Sequence, residues 1–383
     1  MILYELIDYQ TLRIIWWVLL GVLLIGFAIT DGFDLGITTL LPFVARTEIE
    51  RRITLHTITP IWEGNQVWLI LSGGAIFAAW PPIYAVSFSG FYLAMFLILF
   101  ALILRPVGLK YRPKRESQCW HNGWDLALFI SGIIPSLIFG VLVGNVLQGL
   151  PFYFSPDMHV TYEGTFFTLF DPYALLCGLL SVAMLIMHGA CWLAIKTTGS
   201  IYARACNYGN AAALASIILF ALAGIWLVGF TESYSITSSI NHDGASNPLL
   251  KTAVHNGSWI SNYQHYPWIL IAPIAGFAGA LLTLISLRLR RNIAAILFSK
   301  LSIAGIIATV GLSMFPFILP SSTDPSSSLT VWDASSSHQT LFIMLIATAI
   351  FLPIILAYTS WVYKVLWGKV SEKDVTGKNE HSY

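Results

Sequence analysis

Charge is what this chain has least of. Asp, Glu, Lys and Arg make up 10% of its 383 residues, against about 25% in an ordinary soluble domain. Apolar residues reach 56%, a balance that cannot coat a water-facing globule. The net charge of +1 gives nucleic acid no reason to bind. Four cysteines (Cys119, Cys177, Cys191, Cys206) form no CxxC pair and no metal-ligand spacing, so they read as reduced thiols. Neither GxGxxG, GxxxxGK nor HExxH occurs. Of nine histidines only His56, His188 and His338 fall in or beside the apolar runs, and no two could bracket a haem from facing helices. No redox chemistry by this chain alone is expected, and no metal site.

What the chain does have is long apolar runs. A bilayer core takes about 20 apolar helical residues per crossing. Nine runs qualify, near 14–36, 57–80, 84–105, 126–147, 173–195, 208–230, 267–287, 295–316 and 340–364. The sequence therefore predicts an all-α membrane protein with nine transmembrane helices in a single membrane domain, 1–383. The first run is followed by Asp31 and Asp34 rather than a small-residue cleavage site, so it is expected to stay in the mature protein. The second run is the weakest, being interrupted by Glu63, Asn65 and Gln66. Charge sorting decides in its favour. With nine crossings, eighteen of the 20 basic residues fall on one side, leaving only Arg13 and Lys251 opposite. By the positive-inside rule that side is the cytoplasm, which puts the N-terminus in the periplasm and leaves 365–383 as a short cytoplasmic tail. Dropping the second crossing would put Arg46, Arg51 and Arg52 outside.

Trp80, Trp259, Trp268 and Trp332 mark the outer boundary, and Trp120, Trp124, Trp361 and Trp367 the inner one. Gly32-x-x-x-Gly36 and Gly140-x-x-x-Gly144 put small residues on one helix face, where backbones can approach. Gly21, Asp31 and Gly32 lie over Gly178, His188 and Gly189 at a constant offset, and GIIPS from Gly132 echoes GIIAT from Gly305. These echoes suggest a pseudo-repeat, 10–150 and 170–320: two four-helix bundles, with 340–364 as a ninth helix.

Ionisable groups inside the bilayer carry the functional signal, because each needs a partner, water or a proton. Asp31 lies 17 residues below Ile14 and Glu63 lies 17 residues below Trp80, each about 25 Å deep at 1.5 Å per residue. Asp34 shares a helix face with Asp31, and Arg105 is slightly deeper. One guanidinium cannot neutralise three acids, so at least one carboxyl is expected to be protonated or hydrated. The functional reading is a proton-accepting cluster open to the cytoplasm; its rival is a polar clamp holding helices one to three together. Trp62, Asn65, Gln66 and Trp68 can supply hydrogen bonds in either case. Asp125 reads as a dipole partner at the start of helix four. His188, with Met184 and Met187 nearby, reads as a hydrogen-bonded core histidine rather than a metal ligand.

The words of the sequence then become familiar. WW at Trp16 to Trp17, TDGFDLG from Thr30, WEGNQVWLI from Trp62, GGAIFAAWP from Gly73 and FSGFYLAM from Phe88 resemble subunit II of cytochrome bd quinol oxidase. So do RPVG from Arg105, MFPF from Met314 and SSLTVWDASSS from Ser327, and the likeness covers nearly the whole chain. It implies a bacterial inner-membrane heterodimer. Subunit I carries the haems and the quinol-oxidising loop; quinol is oxidised outside, and O₂ is reduced to water with cytoplasmic protons, generating a proton motive force without pumping. Small single-helix accessory subunits are further partners of such a complex, and some members hold a structural quinone in subunit II. The carboxylate at Glu63 is assigned to the proton conduit, with Lys114 and the terminal Tyr383 nearer its cytoplasmic mouth. Two departures stand out: Lys110 where the family places an acid in the conduit, and Ile61 where it often has histidine.

Three functional readings follow. In the first, Glu63 relays protons toward haem in the partner, with Asp31, Asp34 and Arg105 around it. In the second, the subunit only scaffolds and seals the haem subunit. A secondary transporter is the third, suggested by level acids, Gly-rich helices and the faint repeat. Against it, Pro135, Pro273, Pro316 and Pro353 do not pair between the halves.

Overall fold

Hydrocarbon offers no hydrogen bonds to a backbone, so a chain this apolar must satisfy its amides within helices. The computed structural model describes residues 6–376; Tyr383 lies outside the described residues. In chain order the helices are α1 (Tyr9–Val44), α2 (Glu48–His56), α3 (Trp62–Ala79), α4 (Pro81–Gly90), α5 (Tyr92–Tyr111) and α6 (Gln118–Gln148), then α7 (Pro172–Lys196) and α8 (Gly199–Phe230). After these come α9 (Ser261–His265), α10 (Ile271–Arg288), α11 (Asn292–Met314), α12 (His338–Val365) and α13 (Glu372–Thr376). Six short strands lie between them: β1 (Phe152–Phe154), β2 (Val160–Tyr162), β3 (Ser233–Ile236), β4 (Ala253–Gly257), β5 (Phe317–Leu319) and β6 (Leu329–Thr330). They pair as three antiparallel hairpins, β1–β2, β3–β4 and β5–β6.

Side-chain caps set several helix starts. Asp8 accepts from the Thr11 amide at 2.9 Å, and Asp171 caps α7 ahead of Pro172. Thr47 and Glu50 form a reciprocal capping box on α2. Among the described residues eight helices are long and apolar enough to cross a bilayer: α1, α5, α6, α7, α8, α10, α11 and α12. The remaining long helix, α3, has 18 residues, about 27 Å at 1.5 Å each, but its polar first turns hold down its apolar content.

Three expected boundaries need correction. α1 continues well past residue 36, to Val44, so Asp31 lies thirteen residues, about 20 Å, from its end. The second run does not begin at 57: Thr57–Ile61 is a turn broken by Pro60, and the helix starts at Trp62. The run 84–105 is two helices, α4 and α5, divided at Phe91. Just before the break, the Tyr162 ring of β2 packs so closely over Gly90 that a Cβ there would sit 2.5 Å from Tyr162 Cε2.

The second half of α1 and most of α7 form the buried middle of the molecule. Asp31 to Leu41 are buried without a break, as expected of a helix surrounded by others, and α1 packs on α3, α6, α7, α11 and α12. Its closest approach uses the small-residue pattern: a Cβ on Gly36 would fall 2.1 Å from the Leu185 carbonyl oxygen, with Gly189 alongside. Gly140 plays the same part between α6 and α7, facing Cys177 O and Gly178. α7 packs on α6, α8 and α11, and α10 on α8 and α11.

The two ends differ in how they handle charge. At the hairpin end, the two stray cations are both buried. Arg13 donates to the carbonyls of His242 and Gly244 and to Ser246 and Ser335, while Lys251 pairs with Asp333 at 2.8 Å. At the other end the basic loops converge. Arg112 joins Glu48 (2.8 Å) to Asp125 (2.6 Å), and Arg51 adds a second bond to Asp125 at 2.7 Å. Asp125 is therefore an ion-pair node, eight residues into α6, rather than a dipole partner: two guanidiniums within 3 Å outweigh a helix end.

Candidate functional site

Spacing along α3 assigns its two faces. Trp62, Asn65, Trp68 and Ser72 recur at helical spacing and are buried, Trp62 among Leu41, Leu55, Leu109 and Leu128. Glu63 is two residues from Asn65, about 200° around the helix, and it is exposed. It heads an outward stripe that continues through Val67, Ile70, Gly74 and Phe77. The expected four-residue cluster is thus divided. Asp31, Asp34 and Arg105 meet, and Glu63 turns its back on them, because Asn65 already occupies the inward position of that turn.

The inner cluster is built from four helices. Arg105 of α5 donates through Nη1 and Nη2 to both carboxylate oxygens of Asp31, and both side chains are 0% exposed. Asn65 donates from Nδ2 to Asp34 Oδ2 at 2.8 Å. Tyr363 of α12 donates to Asn65 Oδ1 at 2.6 Å. Asp34 Oδ1 and Arg105 Nε are buried and have no hydrogen-bond partner among the described residues. Two carboxyls face one guanidinium, so the cluster carries a net negative charge unless one of them holds a proton. The carboxamide of Asn65 bonds Tyr363 and Asp34 but does not shuttle protons as a carboxyl or hydroxyl does. These bonds join α1 to α5, α1 to α3 and α3 to α12 where lipid offers no polar alternative.

Tyr363 was not foreseen from the sequence. Tyr358, Thr359 and Ser360 share the ninth run with it, so no local signal singled it out. Gln66 is half-buried beside the cluster, and Lys110 and Lys114 are exposed at the basic end. His188, buried in α7, spends both ring nitrogens, one on Ser299 Oγ at 2.7 Å and one on the Ile29 carbonyl at 2.9 Å. It does not fit an axial haem ligand, which needs a free nitrogen. Among the described residues no group of three or more His, Cys, Asp or Glu could hold a metal ion.

Eight apolar crossings, charge gathered at one end and an ion pair sealed inside define a multi-pass helical membrane protein. The family is more specific: the chain belongs to the cytochrome bd terminal oxidase subunit II family, whose sequence profile matches residues 12–366. The probable cytochrome oxidase subunit 2 of Haemophilus influenzae is 49% identical over 98% of this chain and its own full length. The cytochrome bd-I ubiquinol oxidase subunit 2 of Escherichia coli K12 is 46% identical over the same shares. The corresponding Bacillus subtilis subunit is 28% identical over 95% of this chain and 98% of its own. Among solved structures, a chain of the bd oxidase from Geobacillus thermodenitrificans superposes with a TM-score of 0.68 at 18% identity, covering 93% of this chain and 99% of that one, which shows a shared fold. The resemblance drawn from the sequence words is thereby established, and the transporter reading falls away.

Proposed function

We propose that this chain is the haem-free subunit of a quinol:O₂ oxidoreductase, and that its one active part is a proton path along the boundary with the haem-bearing subunit I, with Glu63 as the proton carrier. The observation that carries the reading is the exposure of Glu63 on an apolar stripe of α3. A carboxylate facing acyl chains costs about 2.5–3.5 kcal/mol at the bilayer centre and less toward its boundary. Such a group belongs against protein or water, and in a two-subunit oxidase the covering surface is the partner. Its place in the first turn of α3 further favours negative charge there, since the helix dipole is positive at that end.

The proposal includes nine crossings with α3 as the second, the N-terminus periplasmic and the C-terminus cytoplasmic. Supporting this orientation, the basic loops before α3, after α5 and after α7 converge at one end, and the two remaining cations are locked under the hairpins at the other. It also includes a division into two four-helix groups, α1, α3, α5 and α6 against α7, α8, α10 and α11, with α12 as the ninth crossing. Supporting that division, α1 packs on α3 and α6 much as α7 packs on α8 and α11. Lys110 and Lys114, exposed at the basic end, are assigned to the cytoplasmic mouth together with Tyr383, while Asp31, Asp34, Asn65, Tyr363 and Arg105 hold α3 in register. Electrogenic turnover without pumping, accessory single-helix subunits and a structural quinone are carried over from the family, and no residue of this chain is put forward for them.

The test is O₂ consumption by the assembled complex carrying Glu63→Ala. Turnover is expected to fall while both subunits and the haem spectrum stay intact, and Glu63→Asp should keep it. An assembled Ala variant at the wild-type rate would remove Glu63 from the path. If instead the complex is lost and what remains turns over normally, the subunit is a scaffold.

A further inference from the structure

An unassigned cleft lies away from α3. Where α7 ends, α11 begins and the chain leaves α12, Ile195, Asn292, Ile293, Trp367, Gly368 and Lys369 line a half-open cleft of about 260 Å³. Hydrogen bonds fix its walls. Lys196 Nζ donates to the Leu366 carbonyl at 2.6 Å, and the Lys196 carbonyl accepts from the Val370 amide at 2.8 Å, pinning Trp367 to Lys369 against α7. Asn292 donates to the Ala194 carbonyl at 2.8 Å and holds the first turn of α11 on the other side.

The cleft walls are mostly apolar, with one cation in the lining and three more close by in the chain. Lys369 lines it, Arg290 and Arg291 are exposed just ahead of Asn292, and Lys196 is 95% buried between the faces of Trp192 and Trp367, 5.2 and 5.8 Å away. Among the described residues Arg290, Arg291 and Lys196 form no ion pair with a carboxylate. An apolar track leads out of the cleft: Ile293, Leu297 and Leu301 stand at i, i+4 and i+8 on α11, exposed by 61%, 58% and 42%. A cationic seat beside an indole, opening onto an exposed aliphatic stripe at a membrane boundary, matches one molecule with a phosphate head and acyl chains.

We infer that this cleft binds one anionic phospholipid, its phosphate held by Lys369, Arg290 and Arg291 beside Trp367, and one acyl chain lying along Ile293, Leu297 and Leu301. The inference is independent of the proton path and of which leaflet the basic end meets. The test is native mass spectrometry of the delipidated intact oxidase, re-lipidated in mixed micelles with phosphatidylglycerol or with phosphatidylcholine alone. The triple variant Arg290→Gln, Arg291→Gln, Lys369→Gln is expected to carry one phosphatidylglycerol fewer per complex, with affinity for that lipid about 100-fold weaker at roughly tenfold or less per cation. Arg46→Gln, Arg52→Gln, Arg115→Gln, an equal charge change elsewhere on the same end, should keep it. Equal lipid counts in wild type and triple variant overturn the site. So does equal loss from the control, which means a diffuse surface field, or displacement of the lipid by excess inorganic phosphate, which means a free-anion site. Retention of phosphatidylcholine in place of phosphatidylglycerol by the wild type overturns it as well.

Discussion

Two acids on neighbouring helices meet the same solvent problem and solve it in opposite ways. Asp31 on α1 is fully buried and pairs with Arg105 inside this chain. Glu63 on α3 is exposed and makes no ion pair among the described residues. The difference shows how a membrane subunit sorts its charges. An acid neutralised within the chain is part of the fold, whereas one left on the outer face of a crossing is written for another surface. Depth alone puts the two together; facing separates them.

The comparison breaks most visibly at Arg105. Replacing it by Met strands Asp31 and Asp34 in the bundle, a loss of about 3–5 kcal/mol for one partner of a buried pair. Little assembled complex should be recovered, as read by detergent-solubilised yield and thermal stability. The double variant Arg105→Met, Asp31→Leu should recover part of the loss, because it removes one of the two stranded carboxyls and an apolar pair of similar volume is often neutral in such a site. A double variant as unstable as the single one would mean that the ion pair does more than hold helices. Glu63→Ala is the mirror test: stability within about 0.5 kcal/mol of wild type, as for a surface change, and turnover lower by about 100-fold, the scale of a lost proton-transfer group.

How much of this was legible in the sequence depends on the reach of the interaction. The apolar runs were plain because lipid imposes them residue by residue, and Gly36 and Gly140 could be read because close packing needs a missing side chain. The orientation of Glu63 was also readable in retrospect: Trp62, Asn65, Trp68 and Ser72 mark one face, and Glu63 is off it. The bond between Tyr363 and Asn65 joins residues 298 apart, and that between Arg51 and Asp125 residues 74 apart; no local pattern encodes either. The hairpins were missed for the same reason. Their strands run two to five residues, and one is anchored by Leu150 pairing with Ser321, far along the chain.

Tyr363→Phe sharpens the clamp side of the comparison. It removes one donor and leaves buried Asn65 Oδ1 unsatisfied, at about 1–2 kcal/mol. Stability of the purified complex should fall by that much, with turnover unchanged. A turnover loss matching that of Glu63→Ala would place Tyr363 in the proton path and reconnect the two acids.

The smallest effect concerns an acid outside the membrane segments, where water competes. Burial alone would raise the pKa of Glu50, but hydrogen bonds from Ser200, the Arg46 amide, Arg204 and the Thr47 amide outweigh it and hold the carboxyl near about 2, against 4.5 ordinarily. A depressed folded value means that the link between α2 and α8 is fully present above pH 4.5 and lost as pH falls toward about 2. Exposed ion pairs contribute little, so the effect should be modest. Thermal stability of wild type and Glu50→Gln, compared from pH 7 downward, should differ by a constant amount to about pH 5 and converge below it. A gap that stays flat to pH 3 would show that Glu50 is an ordinary surface carboxylate, and that the link between α2 and α8 does not depend on its charge.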